Sequence, residues 1–249
     1  MSDFRPRSGS ELLDAAFEIY RRHFIVIIAI SVFAAVPLAL STYMGTTALL
    51  LQQQQNAVAT SSLIFFASIF VAPFTEGAIT AAVSAAYLGN PVDFTESFRI
   101  AFKKPGRLFI AMCVKWIAMA FGLLLFLVPG FIVFKRYFAL PMTVVLEDNT
   151  VGDAISRSRA LSNGNGSRIF ALIGGVFLFT TLVSWSLGRT FTSPILIASL
   201  RLFLGTVISP FSTIVATILY YDIRIRKEGY DIELMTQALN AASPLQPVP

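Results

Sequence analysis

The chain has 249 residues, of which 55% are hydrophobic and 13% charged, against about 25% charged in ordinary soluble domains. A soluble fold of this length has too little interior to hide so much apolar side chain, so the composition excludes one and implies an integral membrane protein. The net charge of +5 needs no nucleic acid to explain it, because Lys and Arg beside membrane spans follow the positive-inside rule.

The first 23 residues mix Glu11, Asp14 and Glu18 with basic residues, and the apolar run starts at Phe24, so they do not read as a signal peptide. Six spans are predicted, at about 24–43, 62–87, 108–128, 130–147, 169–187 and 202–221, each near the ~20 residues that cross a hydrocarbon core. The "VPG" at 128–130 predicts a turn between the third and fourth. The connections 1–23, 88–107, 148–168 and 222–249 hold fourteen of the nineteen Lys and Arg residues, while the 44–61 connection has none. Both termini are therefore expected in the cytoplasm, with the bacterial inner membrane as the location.

Three of the charged pieces align: 8–24, 93–109 and 150–170. Each opens with a capping residue followed three positions later by an acid: Ser8/Glu11, Asp93/Glu96 and Thr150/Asp153. Each closes on Arg-x-Phe, at Arg22/Phe24, Arg107/Phe109 and Arg168/Phe170. Apolar residues at 3–4 spacing, such as Leu12, Leu13, Ala16 and Phe17, face away from the charges, which predicts amphipathic helices on the cytoplasmic interface. Their cations, Arg21, Arg22, Arg99, Lys103, Lys104, Arg107, Arg157, Arg159 and Arg168, would meet anionic phospholipid. Gly164 and Gly166 would end the third helix. An echo follows in Pro73-Phe74-Thr75, Pro141-Met142-Thr143 and Pro210-Phe211-Ser212. The expectation is an all-α integral membrane protein with one domain over 1–249. It would be built of three helix-hairpin repeats at about 8–90, 91–149 and 150–228, with a short disordered tail at about 240–249.

The ionisable residues placed at membrane depth are Glu76, Lys115, Lys135 and Arg136. Such groups are costly in lipid and turn toward a partner or water. At ~1.5 Å rise per residue, Glu76 and Arg136 fall at matching depth, so Glu76 is expected to contact Arg136, or failing that Lys115. This is either a structural clamp or a polar site, and Lys135 and Arg136 could instead snorkel to head groups. Cys113 and His23 are single, and no nucleophile triad, phosphate-cradling loop or metal-ligand spacing is present. No enzyme activity, cofactor or metal is expected.

The stretch 127–165 and the tail 219–235 resemble a bacterial family, the six-span membrane domain named after glycerophosphoryl diester phosphodiesterases. The matching residues are Pro129, Gly130, Arg136, Pro141, Glu147, Ala154, Arg157, Ser158, Tyr221, Asp222 and Arg224. The resemblance implies the six-span fold. It does not carry the hydrolase activity, which belongs to a fused soluble barrel with paired His. Two functions stay open: a module that organises or senses lipid or scaffolds a membrane-protein partner or second copy, and a transporter or channel subunit using Glu76, Arg136 and Lys115. A water-filled cavity at those residues would favour transport. A dry, fully paired core would favour the scaffold.

Overall fold

The computed structural model describes residues 5–50, 55–125, 127–147, 149–230 and 232. The expected tail at 240–249 lies outside them. Among the described residues every regular element is helical, and five helical stretches are long and apolar enough to cross a membrane. They are Phe24–Ala48, Asn56–Tyr87, Pro105–Gly122, Gly166–Ser186 and Ile195–Glu228. Large apolar side chains stand exposed along them, Ile25 at 82% and Leu63 at 71%, as a hydrocarbon solvent allows.

Helix α1 (Gly9–Arg22) starts at Ser8, whose hydroxyl accepts from the Glu11 amide while the Glu11 carboxylate accepts from the Ser8 amide at 2.6 Å. Helix α2 (Phe24–Leu50) follows at once, with Pro37 inside it, and pairs with α3 (Gln55–Tyr87), which holds Pro73. The uncharged 44–61 stretch is thus mostly helix, with residues 51–54 outside the described ones. Helix α4 (Phe94–Ala101) is capped by Asp93, and α5 (Pro105–Leu125) is followed by α6 (Leu127–Tyr137). Pro129 and Gly130 therefore fall in the first turn of α6, where a missing amide costs nothing, rather than in a loop.

The stretch 130–147, expected as one span, is broken. Helix α6 stops at Tyr137 and α7 (Leu140–Leu146) restarts after Phe138 and Ala139. Pro141 is the cause: its ring excludes the helical carbonyl four residues back, which belongs to Tyr137. Helix α8 (Val151–Ser162) is capped by Thr150, and Gly164, at φ 79°, turns the chain. Gly166 opens the next helix instead of ending α8: α9 (Gly166–Ile169) passes through a π-helical turn at Phe170–Gly174 into α10 (Gly175–Thr190). Helix α11 (Pro194–Phe203) passes through a second, Leu204–Ile208, into α12 (Ser209–Glu228). The three Pro-x-hydroxyl echoes are not equivalent, since Pro73 lies inside its helix whereas Pro141 and Pro210 lie in first turns.

Helix α12 is central. Ile214, Val215, Ile218, Leu219 and Tyr220 are fully buried, and Tyr221 meets α3, its hydroxyl 2.6 Å from that of Ser84 and its ring stacked on Tyr87. At its far end a polar lock joins distant chain segments. Asp222, 1% exposed, accepts from the Arg7 amide at 2.7 Å and from Arg226 at 2.8 Å, and pairs with Arg168 at 3.1 Å. Arg168 also donates to the Arg7 carbonyl. Glu147 accepts from Arg157 at 2.8 Å and from the Tyr220 hydroxyl at 2.6 Å, while Arg157 also forks onto Glu228. Lys227 donates to the Ala160 carbonyl at 2.7 Å, satisfying the end of α8. Arg157 and Arg168, expected to face lipid head groups, are instead tied to acids within the fold. The Glu228 bond, in turn, holds the Arg157 guanidinium charged more firmly than usual.

Asp222→Asn should leave Arg168 and Arg226 without their counter-charge and lower stability by about 3 kcal/mol. Thermal unfolding in detergent reads the loss, and trypsin should begin to cut after Arg7. Glu96→Gln, which breaks an exposed pair with Arg99, should leave the melting temperature unchanged.

Candidate functional site

Glu76 lies one turn past Pro73 in α3, and Lys115 lies midway along α5. The Lys115 ammonium donates to Glu76 Oε1 at 2.7 Å. The two side chains remain 18% and 25% exposed, so the pair is not sealed in packing. What they face is a cavity of about 400 Å³ between α2, α3, α5, α6, α10 and α12. That volume is within the range of small-molecule sites.

The rest of the wall is of two kinds. Ser31, Thr75, Ser212 and Thr213 bring hydroxyls to it, and Trp116, Phe134, Tyr137, Phe138 and Phe177 bring rings. The hydroxyl hydrogens of three are already used. Ser31 donates to Ile27 at 2.6 Å, Thr75 to Val71 at 3.3 Å and Ser212 to Ser209 at 2.8 Å, all carbonyls of their own helices. Their remaining lone pairs can accept. Three irregularities of the backbone border the space. Ile173 comes from the first π-helical turn, Gly205 from the second, and Phe138 from the break after α6. A side chain at Gly205 would meet Ala35 at 3.0 Å, so this glycine sets how closely α2 and the second π turn pack.

Of the two cations considered for Glu76, Lys115 makes the bond. Arg136 is exposed at the end of α6, where its carbonyl accepts from Ser158 of α8 at 2.8 Å. The depth match fails because Pro141 cuts the helix along which the rise was counted. Lys135 lies over Gly166, where a methyl group would come to 3.1 Å from its stem. Arg159 donates to the Tyr137 hydroxyl at 3.1 Å. On α1 and near α4, Arg21 and Lys103 are exposed, Arg22 pairs with Glu18 at 3.3 Å and Arg99 with Glu96 at 2.7 Å. Lys104 and Arg107 are half-buried at the start of α5. His23 closes α1, and partial burial, helped by Arg22, holds it below its ordinary pKa and so neutral at pH 7. Among the described residues no three of His, Cys, Asp and Glu gather as metal ligands.

The hydroxyls, the aromatic wall and the Glu147–Arg157–Glu228 chain were not foreseen. Tyr221-Asp222-x-Arg224 was the nearest signal for the lock, as it placed an acid beside arginines.

Glu76→Gln or Lys115→Gln alone should destabilise more than the double change, since each single change strands a charge in low dielectric. A double-mutant cycle on thermal unfolding should give a coupling of about 1–3 kcal/mol; additive losses would contradict the pair. Comparison with known proteins finds no matching family model and no significant match to a curated protein or solved structure.

Proposed function

We propose that the protein is a multi-pass membrane transporter, or the transport subunit of one, whose solute site is the Glu76–Lys115 cavity. The observation that carries this reading is the cavity itself: an ion pair opening onto about 400 Å³ of hydroxyl- and ring-lined space. A pair serving only as a clamp gains from tight packing around it, which excludes water and fills voids. Charged groups inside membrane bundles mark solute and ion paths for the same reason that they are costly elsewhere. The break after Tyr137 adds support, because discontinuous helices form the solute sites of many transporters.

In this reading α6 and α7 together make a sixth, interrupted crossing. The Lys and Arg distribution puts both termini in the cytoplasm of a bacterial cell. The equivalent caps of α1, α4 and α8 support three related units. The resemblance to the six-span phosphodiesterase-associated domain fits this layout and adds no hydrolysis. A second reading, a lipid-sensing or partner-scaffolding module, draws on one observation. Arg21 and Lys103 are exposed, Phe17, at 60%, lies one turn before Arg21 on α1, and Phe94, at 41%, opens α4, so cations and exposed rings stand together.

Accessibility separates the two. In a Cys113→Ser background, Ser212→Cys on the cavity wall should react with a charged, membrane-impermeant thiol reagent in proteoliposomes. Phe179→Cys, on the outer face of α10 where Phe179 is 60% exposed, should not. Equal inertness of the two positions would remove transport and leave the scaffold.

A further inference from the structure

From the chemistry of the cavity wall we infer the class of its ligand: a small zwitterion carrying an organic ammonium group and an anionic group. The inference rests on the transport reading of the same cavity. Its first ground is charge. Among the described wall residues, Glu76 and Lys115 are the charged ones, and they cancel. A ligand of net charge would leave one charge uncompensated in a medium where that is expensive. A neutral ligand without charges would have to leave the pair closed and gain little from it. A zwitterion can enter between the partners, its ammonium on Glu76 and its anion on Lys115, and keep every charge paired.

The second ground is the rest of the wall. The hydroxyls of Ser31, Thr75 and Ser212 have spent their hydrogens on their own helices, so they offer acceptors to a donor-rich group. An ammonium is such a group. Trp116 and Phe134 bring rings to the wall, and aromatic faces attract organic cations with about 0.5–2 kcal/mol each according to desolvation, whereas the Tyr137 ring already lies under the Arg159 guanidinium. Helix α6 ends at Tyr137, beside the cavity, and the C-terminal end of a helix also favours positive charge. The cation half of the ligand is therefore read by carboxylate, acceptors and rings, and the anion half by Lys115.

Two sources share this chemistry. One is a free solute such as an amino acid, whose primary ammonium carries N–H donors. The other is the head group of a zwitterionic phospholipid, for which there is a route: Phe177 lines the cavity and is also 52% exposed on the flank of the bundle.

The test uses the full chain. In detergent it is titrated with L-alanine and L-serine as zwitterions, acetate as anion and methylammonium as cation, with the melting temperature as readout. In nanodiscs of mixed phosphatidylethanolamine and phosphatidylglycerol, retained lipid is read by native mass spectrometry. A saturable rise with a soluble zwitterion is expected if the source is a free solute, and selective retention of phosphatidylethanolamine if it is lipid. In either case Lys115→Met and Glu76→Gln should weaken the response roughly tenfold or more, the loss of one charge-assisted contact. The double variant Glu76→Gln/Lys115→Gln strands no charge, so it should fold and still fail to respond. Phe179→Ala should respond as the native chain does. Stabilisation by acetate or methylammonium alone, or by none of the probes with no lipid selected, would overturn the zwitterion. With Ser212→Cys still reactive toward the impermeant reagent, the transport reading would survive that result; with Ser212→Cys inert, both would fall.

Discussion

An ammonium and a carboxylate 2.7 Å apart, inside a bundle made mostly of hydrocarbon, set the terms for the packing around them. A single charge at the centre of a membrane helix costs about 2.5–3.5 kcal/mol on insertion scales. Pairing offsets much of that cost, and contact with a polar space offsets more. Irregular backbone surrounds the cavity that the pair borders. Pro73 lies inside α3, Pro141 cuts α6 short, and π-helical turns at Phe170–Gly174 and Leu204–Ile208 interrupt the two long helices opposite. Such turns recur at functional sites because they displace a helix face without unfolding the helix.

The polar lock around Asp222 uses the same chemistry to a different end. Asp222 is 1% exposed and its oxygens meet the Arg7 amide, Arg168 and Arg226. The carboxylate is enclosed by its partners and lies outside the wall of the Glu76–Lys115 cavity. It ties the segment before α1 to the start of α9 and the end of α12, and Glu147, Arg157 and Glu228 tie α8 to the same place. One ion-pair cluster is closed around a carboxylate only 1% exposed and holds elements together. The other has both partners part-exposed and borders a cavity. The difference in enclosure, rather than in residue type, separates clamp from site.

Much of the framework was legible before any coordinates. Long apolar runs give the five membrane-length helices because length and hydropathy are local properties. The caps at Ser8, Asp93 and Thr150 were readable because a cap and its partner lie three residues apart. What failed depended on distance along the chain. Arg157 reads as a surface cation until Glu228, 71 residues away, is brought beside it. Arg136 was placed by counting along an unbroken helix, although Pro141, four residues after Tyr137, already carried the warning. The cavity was beyond the sequence altogether. Ser31, Trp116 and Ser212 belong to different helices, and nothing in the local pattern separates them from ordinary small or aromatic residues of a membrane span.

The central claim is that the Glu76–Lys115 pair opens onto water. Hydroxyl-radical footprinting of the protein in nanodiscs tests it on a single helix, since radicals generated from water do not reach a packed or lipid-covered side chain. Met119 lines the cavity, and Met112, two turns earlier on α5, is fully buried. Met119 should be oxidised many times faster than Met112. Equal protection of the two would mean that the pair sits in a dry core and that the cavity is no site.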